Sequence, residues 1–297
     1  MKKNIILLST IALITVSNCK KNDTKNTPVI EVKNNLAVKP ESWINNRVQK
    51  AKTKLEKTEA GKVIWNAMQA HGGLKNWYAN GPIAFNFDYK PLDKNKTRRN
   101  TNQVIDTWSN KARHQQVTNT NNEFGWTGKK AWVKTKDSLA FPFDKRFWAL
   151  TPYYFLAQPF VLDGAGVNLE KLEDKVYKNN NYHAIKVTFS AGTGDAPDDY
   201  YILYFNKKDY KLAVIRYIVS YPEYFKNGGH SPEKFMEIQN YTTINGIQLP
   251  TGYHTHWLTK QDTAGEHITT ITVKNIAFKP SIKTAYFNMP TDAKIIE

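Results

Sequence analysis

After Gly81-Pro82 the chain takes up a period of two and, with one interruption, keeps it to Phe278. Ile83, Phe85, Phe87 and Tyr89 alternate with Ala84, Asn86 and Asp88. An extended strand sends such residues to opposite faces, one apolar and one polar. Residues 104–108 and 112–117 continue the pattern, and 124–133 read as a hairpin turning at 127–130. Further strands are predicted at 182–189, 200–205, 212–221, 234–242, 247–258 and 267–278. Gly192-Thr193-Gly194-Asp195, Asn206-Lys207-Lys208-Asp209 and Asn245-Gly246 supply turns between them. Parallel pairing needs long crossovers, and no helices alternate with these strands. The expected fold is therefore mainly β with an α+β character, built on an antiparallel sheet.

Two departures from the period matter. Residues 41–78 carry helical spacing, with Ala60, Val63, Ile64, Ala67 and Met68 on one stripe. Thr58 is placed to cap that helix and Gly72-Gly73 to end it. Residues 147–162 crowd Phe147, Trp148, Leu150, Tyr153, Tyr154, Phe155, Phe160 and Leu162 into one connection. That is too apolar for an exposed loop, so one or two short helices lying over the sheet are expected there. They serve either as a permanent plug or as a movable lid.

The N-terminus is a separate matter. Lys2 and Lys3 precede a short apolar run, Ile5 to Val16, which ends in Ser17-Asn18-Cys19. The run is shorter than the roughly 20 residues a membrane span requires and has the layout of a secretory signal. Cys19 is the only cysteine of the chain, so no intrachain disulfide is available. Its setting resembles the lipobox of bacterial lipoproteins, although Asn18 stands where Gly or Ala is commonest. The resemblance implies cleavage before Cys19 and lipid attachment to its thiol. It divides the chain into a signal peptide (1–18), a lipid-anchored polar tether (19–40) and one domain (41–297). The implied location is the cell envelope, as an outer-membrane lipoprotein facing the periplasm or the surface. The formal charge of +16, less two once Lys2 and Lys3 leave with the signal, favours anionic partners. Nucleic acid is not expected in that compartment.

Several stretches are similar to a family of uncharacterised Bacteroidetes lipoproteins. They are residues 70–77 (AHGGLKNW), Pro152-Tyr153-Tyr154-Phe155 with Pro159-Phe160-Val161-Leu162, residues 194–201 (GDAPDDYY), and Tyr286-Phe287-Asn288-Met289-Pro290. That family more distantly resembles the LolA/LolB-type lipoprotein carriers. The resemblance implies a curved, half-open antiparallel barrel with helices over its concave face.

Candidate chemistry is sparse. His254 and His256 share a strand face, and His267 on the next strand is a conceivable third metal ligand. Strand histidines so spaced are more often ordinary surface residues. Residues 192–199 (GTGDAPDD) offer carboxylates for Ca²⁺, or a tight turn in which Asp195 and Asp198 satisfy backbone donors. His71, ahead of two glycines, reads as a cationic helix cap before it reads as a base. No nucleophile elbow, zinc-helix motif, phosphate loop or cofactor motif is present. The leading expectation is a non-catalytic carrier of an apolar or amphiphilic ligand, with Ile83, Phe85, Phe87, Trp148, Tyr154 and Phe155 as lining residues. The rivals are an envelope enzyme acting on glycan or lipid, and a structural module docking an envelope protein. Replacing Cys19 with alanine is expected to abolish acylation, leaving an uncleaved precursor or a soluble product. A mature, lipid-labelled, detergent-extracted product from that variant would rule the anchor out.

Overall fold

The computed structural model describes residues 35–196 and 198–296. The predicted signal, Cys19 and the tether as far as residue 34 lie outside them. The end of the tether is docked to the domain. Leu36 bridges Lys283, the Ala37 N–H donates to the Ile282 carbonyl at 2.8 Å, and Ala37 is fully buried. The expected free tether is thus corrected at its C-terminal end, where Leu36 and Ala37 give a polar stretch something to bury.

Helices α1 (Glu41–Leu55), α2 (Glu59–Ala70) and α3 (Leu74–Ala79) come first. Thr58 caps α2, its hydroxyl accepting the Gly61 N–H at 3.0 Å. The stripe of Ala60, Val63, Ile64, Ala67 and Met68 is buried. Gly72 (φ +114°) lets the chain turn where it meets the sheet: a Cβ there would stand 2.2 Å from the Gly246 carbonyl oxygen. The Gln248 N–H donates to the His71 carbonyl at 2.9 Å and fixes that approach.

Strands β1 (Ile83–Pro91), β2 (Arg99–Ile105), β3 (Ala112–Gln116), β4 (Glu123–Trp126) and β5 (Ala131–Lys134) form a first meander. Helices α4 (Lys145–Trp148) and α5 (Thr151–Leu156) and a 3-10 turn (Phe160–Asp163) interrupt it. β6 (Val167–Lys171), β7 (Lys175–Tyr177), β8 (Asn180–Phe189), β9 (Tyr201–Asn206), β10 (Leu212–Tyr217), β11 (Lys234–Ile244), β12 (Ile247–Leu258) and β13 (Ala264–Phe278) follow, and β14 (Lys294–Ile296) ends the chain. β1 pairs with β13 from Ile83↔Phe278 to Pro91↔Thr269. The result is one curved antiparallel sheet of fourteen strands, in the order β14-β5-β4-β3-β2-β1-β13-β12-β11-β10-β9-β8-β6 with β7 on β8, and it does not close. This is the mainly β, antiparallel sheet that the alternation and short turns imply, with the half-open curvature that the family resemblance implies. Strands β6, β7 and β14 were not expected; each is five residues or shorter and shows no sustained alternation.

The main core lies between the helices and the inner face of the sheet, where Ile83, Phe87, Ile105, Leu203, Phe205, Ile215, Met236 and Tyr253 are fully buried or nearly so. A second, smaller core of Tyr182, Ile202, Tyr204, Val214 and Phe235 covers the outer face of β8–β11, roofed by Leu172 and Tyr177. That is why β9 and β10 read as near-continuous apolar runs.

Asp163 joins the helical layer to the end of the interrupting segment. Its carboxylate accepts from Arg47 Nε at 2.7 Å, from Arg47 Nη2 at 3.1 Å and from the Tyr78 hydroxyl at 2.8 Å. The Arg47 guanidinium lies over the rings of Tyr78 and Trp108, at 4.2 and 4.9 Å. Asp163→Ala strands a half-buried guanidinium and is expected to cost about 3 kcal/mol. Urea unfolding checks this, and an unchanged midpoint would contradict it.

Candidate functional site

Between β5 and β6 the chain leaves the sheet and crosses its inner face. Asp144 caps α4 by accepting the Phe147 N–H at 2.8 Å, and Pro152 opens α5. The aromatic rings then seat one after another. Trp148 stands edge-on to Phe87 and Tyr89, at 6.1 and 5.4 Å. Phe155 meets Tyr217 at 5.2 Å, Tyr154 meets Tyr201 at 4.9 Å, and Phe160 stacks on Trp77 of α3 at 4.7 Å.

Of the six lining residues nominated from sequence, Ile83, Phe85, Phe87, Trp148 and Phe155 are buried and Tyr154 is half-buried. The structure brings Phe87 to Trp148. It places Phe155 and Tyr154 on the other flank, against β9 and β10. The six form a row across one face instead of converging on a point.

Three hydrogen bonds latch the segment to the sheet. His114 Nε2–H donates to the Ala149 carbonyl at 2.8 Å, the Tyr253 hydroxyl to the Phe155 carbonyl at 3.2 Å, and Gln116 Nε2 to the Ala140 carbonyl at 3.0 Å. His114 Nδ1 accepts from the Thr101 hydroxyl at 3.3 Å, and its ring stacks on Phe124 at 4.2 Å. Elsewhere the seam is poorly satisfied. Trp148 Nε1 is buried in the segment without a hydrogen-bond partner, and the Tyr154 hydroxyl and the Gln158 amide neighbour each other without a well-formed bond. On the sheet both amide atoms of Gln103 lack a partner, and Thr255 Oγ1 neighbours the Tyr217 hydroxyl without a well-formed bond. Native interiors leave few such atoms unpaired.

Sequence reasoning missed the polar rim of this face. Reading β2 backwards from Ile105 puts Gln103, Thr101 and Arg99 on the inner side, so the signal was available once the strand was extended past residue 104. The Arg99 guanidinium lies over Trp148 and Tyr89, at 4.8 and 5.2 Å. On β11, Lys234 Nζ lies 5.3 Å from the Tyr217 ring and 5.4 Å from the Trp257 ring and donates to Ser231 Oγ at 2.9 Å. Burial pushes its ammonium down to about 8, opposed by the Asp199 carboxylate and helped by Lys96.

The other nominated groups have structural settings. His254, His256 and His267 do come together, with ring separations of 4.6 and 4.9 Å beside Glu237. Even so, among the described residues no group of His, Cys, Asp or Glu has a geometry able to hold a metal ion. Asp195 pairs with Arg146 at 2.9 Å, and it is Asp199 that accepts the Ser220 N–H, at 2.6 Å. Asp198 is exposed. His71 sits at the C-cap of α2 and donates from Nδ1 to the Ala67 carbonyl at 2.8 Å. The position is the one expected. The cationic state is not, because burial pushes His71 down to about 4. An open groove of about 820 Å³ is lined instead by Trp43, Arg47, Lys50 and Lys54 of α1 together with Trp108 and Asp163, and by none of the six nominated residues.

Comparison with known proteins fits this geometry. The structure of a LolA superfamily protein, NE2245 from Nitrosomonas europaea, superposes with a TM-score of 0.51 at 10% identity, covering 78% of this chain and 98% of that one. The fold is LolA-like. A putative outer membrane lipoprotein-sorting protein domain from Vibrio parahaemolyticus is also similar, with a TM-score of 0.48 at 9% identity over 76% of this chain and 95% of that one. A family profile described as a family of unknown function (DUF6503) matches residues 136–242, a stretch containing the whole aromatic segment. No curated protein sequence matches the chain.

The buried histidines make stability sensitive to acid. Burial pushes His114, like His71, down to about 4, whereas the unfolded chain takes up these protons near pH 6.5. Their contribution is complete above pH 6.5 and is lost as pH falls towards 4, by up to about 3 kcal/mol for each histidine. Denaturant unfolding at pH 7, 5.5 and 4.5 is expected to show this loss. His114→Gln, which keeps a donor for the Ala149 carbonyl, is expected to make the slope shallower. An identical slope in the variant would contradict the assignment.

Proposed function

We propose that this chain is an envelope lipoprotein, anchored through Cys19, that carries an apolar or amphiphilic ligand on the inner face of its half-barrel. In this reading the aromatic segment 147–162 is a displaceable plug that occupies the ligand's place when the carrier is empty. The carrying observation is the seam between segment and sheet. Trp148 Nε1 and both amide atoms of Gln103 opposite are buried without partners, and the Tyr154–Gln158 and Thr255–Tyr217 contacts fall short of well-formed hydrogen bonds. A permanent core layer gains nothing from such atoms, each costing about 1–3 kcal/mol. A layer that parts to admit water and ligand satisfies them in its other state. The apolar rings provide the driving force for an acyl chain, at about 25 cal/mol per Å² buried. The LolA-like fold and the lipobox-like N-terminus support the same assignment. Ile83, Phe85, Phe87, Trp148, Tyr154 and Phe155 are the proposed contacts.

A fluorescent fatty-acid probe is expected to bind saturably. Trp148→Ala and Phe155→Ala are expected to change its affinity more than they lower the melting temperature. In a permanent plug each truncation would instead leave a core cavity costing roughly 3–5 kcal/mol. Large stability losses in both variants, with no saturable binding by the unaltered protein, would sink the carrier reading and favour a structural or partner-docking module.

A further inference from the structure

The chain has six arginines. Five of them, Arg47, Arg98, Arg113, Arg146 and Arg216, hold a carboxylate. Among the described residues Arg99 holds none, and its Nε is buried without a hydrogen-bond partner. It is not a solvated surface arginine, because its guanidinium is held over Trp148 and Tyr89 at the rim of the inner face. Lys234 repeats the arrangement on the facing strands. It is half-buried, its Nζ rests over Tyr217 and Trp257, its one hydrogen bond goes to the Ser231 hydroxyl, and it makes no ion pair among the described residues. Tyr217 feels both cations: its ring carries Lys234, and the Arg99 charge bears on its hydroxyl.

Partly desolvated cations without a directly paired carboxylate are costly unless a ligand completes them, and Asp199 acts on Lys234 only from beyond ion-pair distance. Both are fixed on strands and packed on aromatic rings, so little order is lost when an anion arrives. A planar guanidinium offers a fork of donors to a carboxylate or phosphate, and an ammonium adds a compact charge. Both sit where the row of apolar contacts ends, at the Trp148 and Tyr217 rings.

We propose that Arg99 and Lys234 form the head-group site of this carrier, and that its ligand is an amphiphile with one apolar tail and an anionic carboxylate or phosphate head. This rests on the carrier reading, since the tail requires the inner face. It goes further by naming the ligand's charge and the residues that select it.

The test varies the head on a constant tail. Dodecanoate, dodecyl phosphate, dodecanol and dodecyltrimethylammonium are titrated into the purified full chain while tryptophan fluorescence is followed, Trp148 and Trp257 being reporters at the site. At least one anion is expected to bind about tenfold or more tightly than dodecanol, with the ammonium weakest. An advantage for dodecanoate alone supports a carboxylate ligand, and an advantage for dodecyl phosphate alone supports a phosphate ligand. Arg99→Gln and Lys234→Gln are each expected to erase most of the advantage while changing dodecanol affinity less than about twofold. The head series on the unaltered protein stands even if a variant fails to fold. Dodecanol and the ammonium binding as tightly as both anions would overturn the head-group site and leave the carrier reading intact. Inorganic phosphate matching dodecyl phosphate in affinity would overturn the amphiphile in favour of a free anion. No binding of any of the four would overturn both readings.

Discussion

The pairing of β1 with β13 is the contact on which this architecture depends. It joins residues nearly two hundred apart in sequence and turns two meanders into one sheet. Closing so long a loop costs chain entropy, although that cost grows only slowly with length. The apolar burial along Ile83, Phe87, Ile271 and Val273 offsets it. Gly72 and the His71–Gln248 hydrogen bond add a second clasp, which holds α2 to the β11–β12 turn on the same side.

With the sheet joined, the aromatic segment acquires its double character. Its rings seat against both meanders, and His114, Tyr253 and Gln116 hold its backbone. Some of its buried side-chain atoms, Trp148 Nε1 first among them, are left without a well-formed hydrogen bond. Good ring packing and poor polar satisfaction seldom coexist in a layer whose only task is to fill space. Their coexistence makes the inner face the place to seek a ligand. It also separates this face from the histidine cluster of β12 and β13, whose rings pack against one another and Glu237 on the outer side.

How much of this was legible in the sequence follows from what each signal measures. Alternation in β1 reported a surface half in water and half in core, so it translated directly into structure. So did the α2 stripe and its Thr58 cap. β6, β7 and β14 left no comparable trace, because three to five residues pair through backbone groups that any side chain can accompany. At the candidate site the apolar members, from Ile83 to Phe155, stood out by composition. Arg99 and Lys234 did not, since a basic residue in a lysine-rich chain looks like surface until its strand register is known. The charge of His71 was misjudged for a related reason: sequence placed it at a helix end but could not report that the hairpin turn covers it.

The outer core of Tyr182, Tyr204, Val214 and Phe235 backs only the half of the sheet built from β8–β11. There the wall is packed on both sides, and bending it would shear two layers of interlocked side chains. The wall of β1–β5 is backed differently, by polar groups such as Asn86, bonded to Asn100 and Asn102, and by the Arg113 guanidinium lying over Trp132 and Tyr286 and paired with Glu123. The two walls of the half-barrel therefore rest on unlike linings, one of interlocked apolar side chains and one of directional polar contacts around a stacked cation. Lys234 stands on the first wall and Arg99 on the second, so the two cations of the rim are braced by different physics.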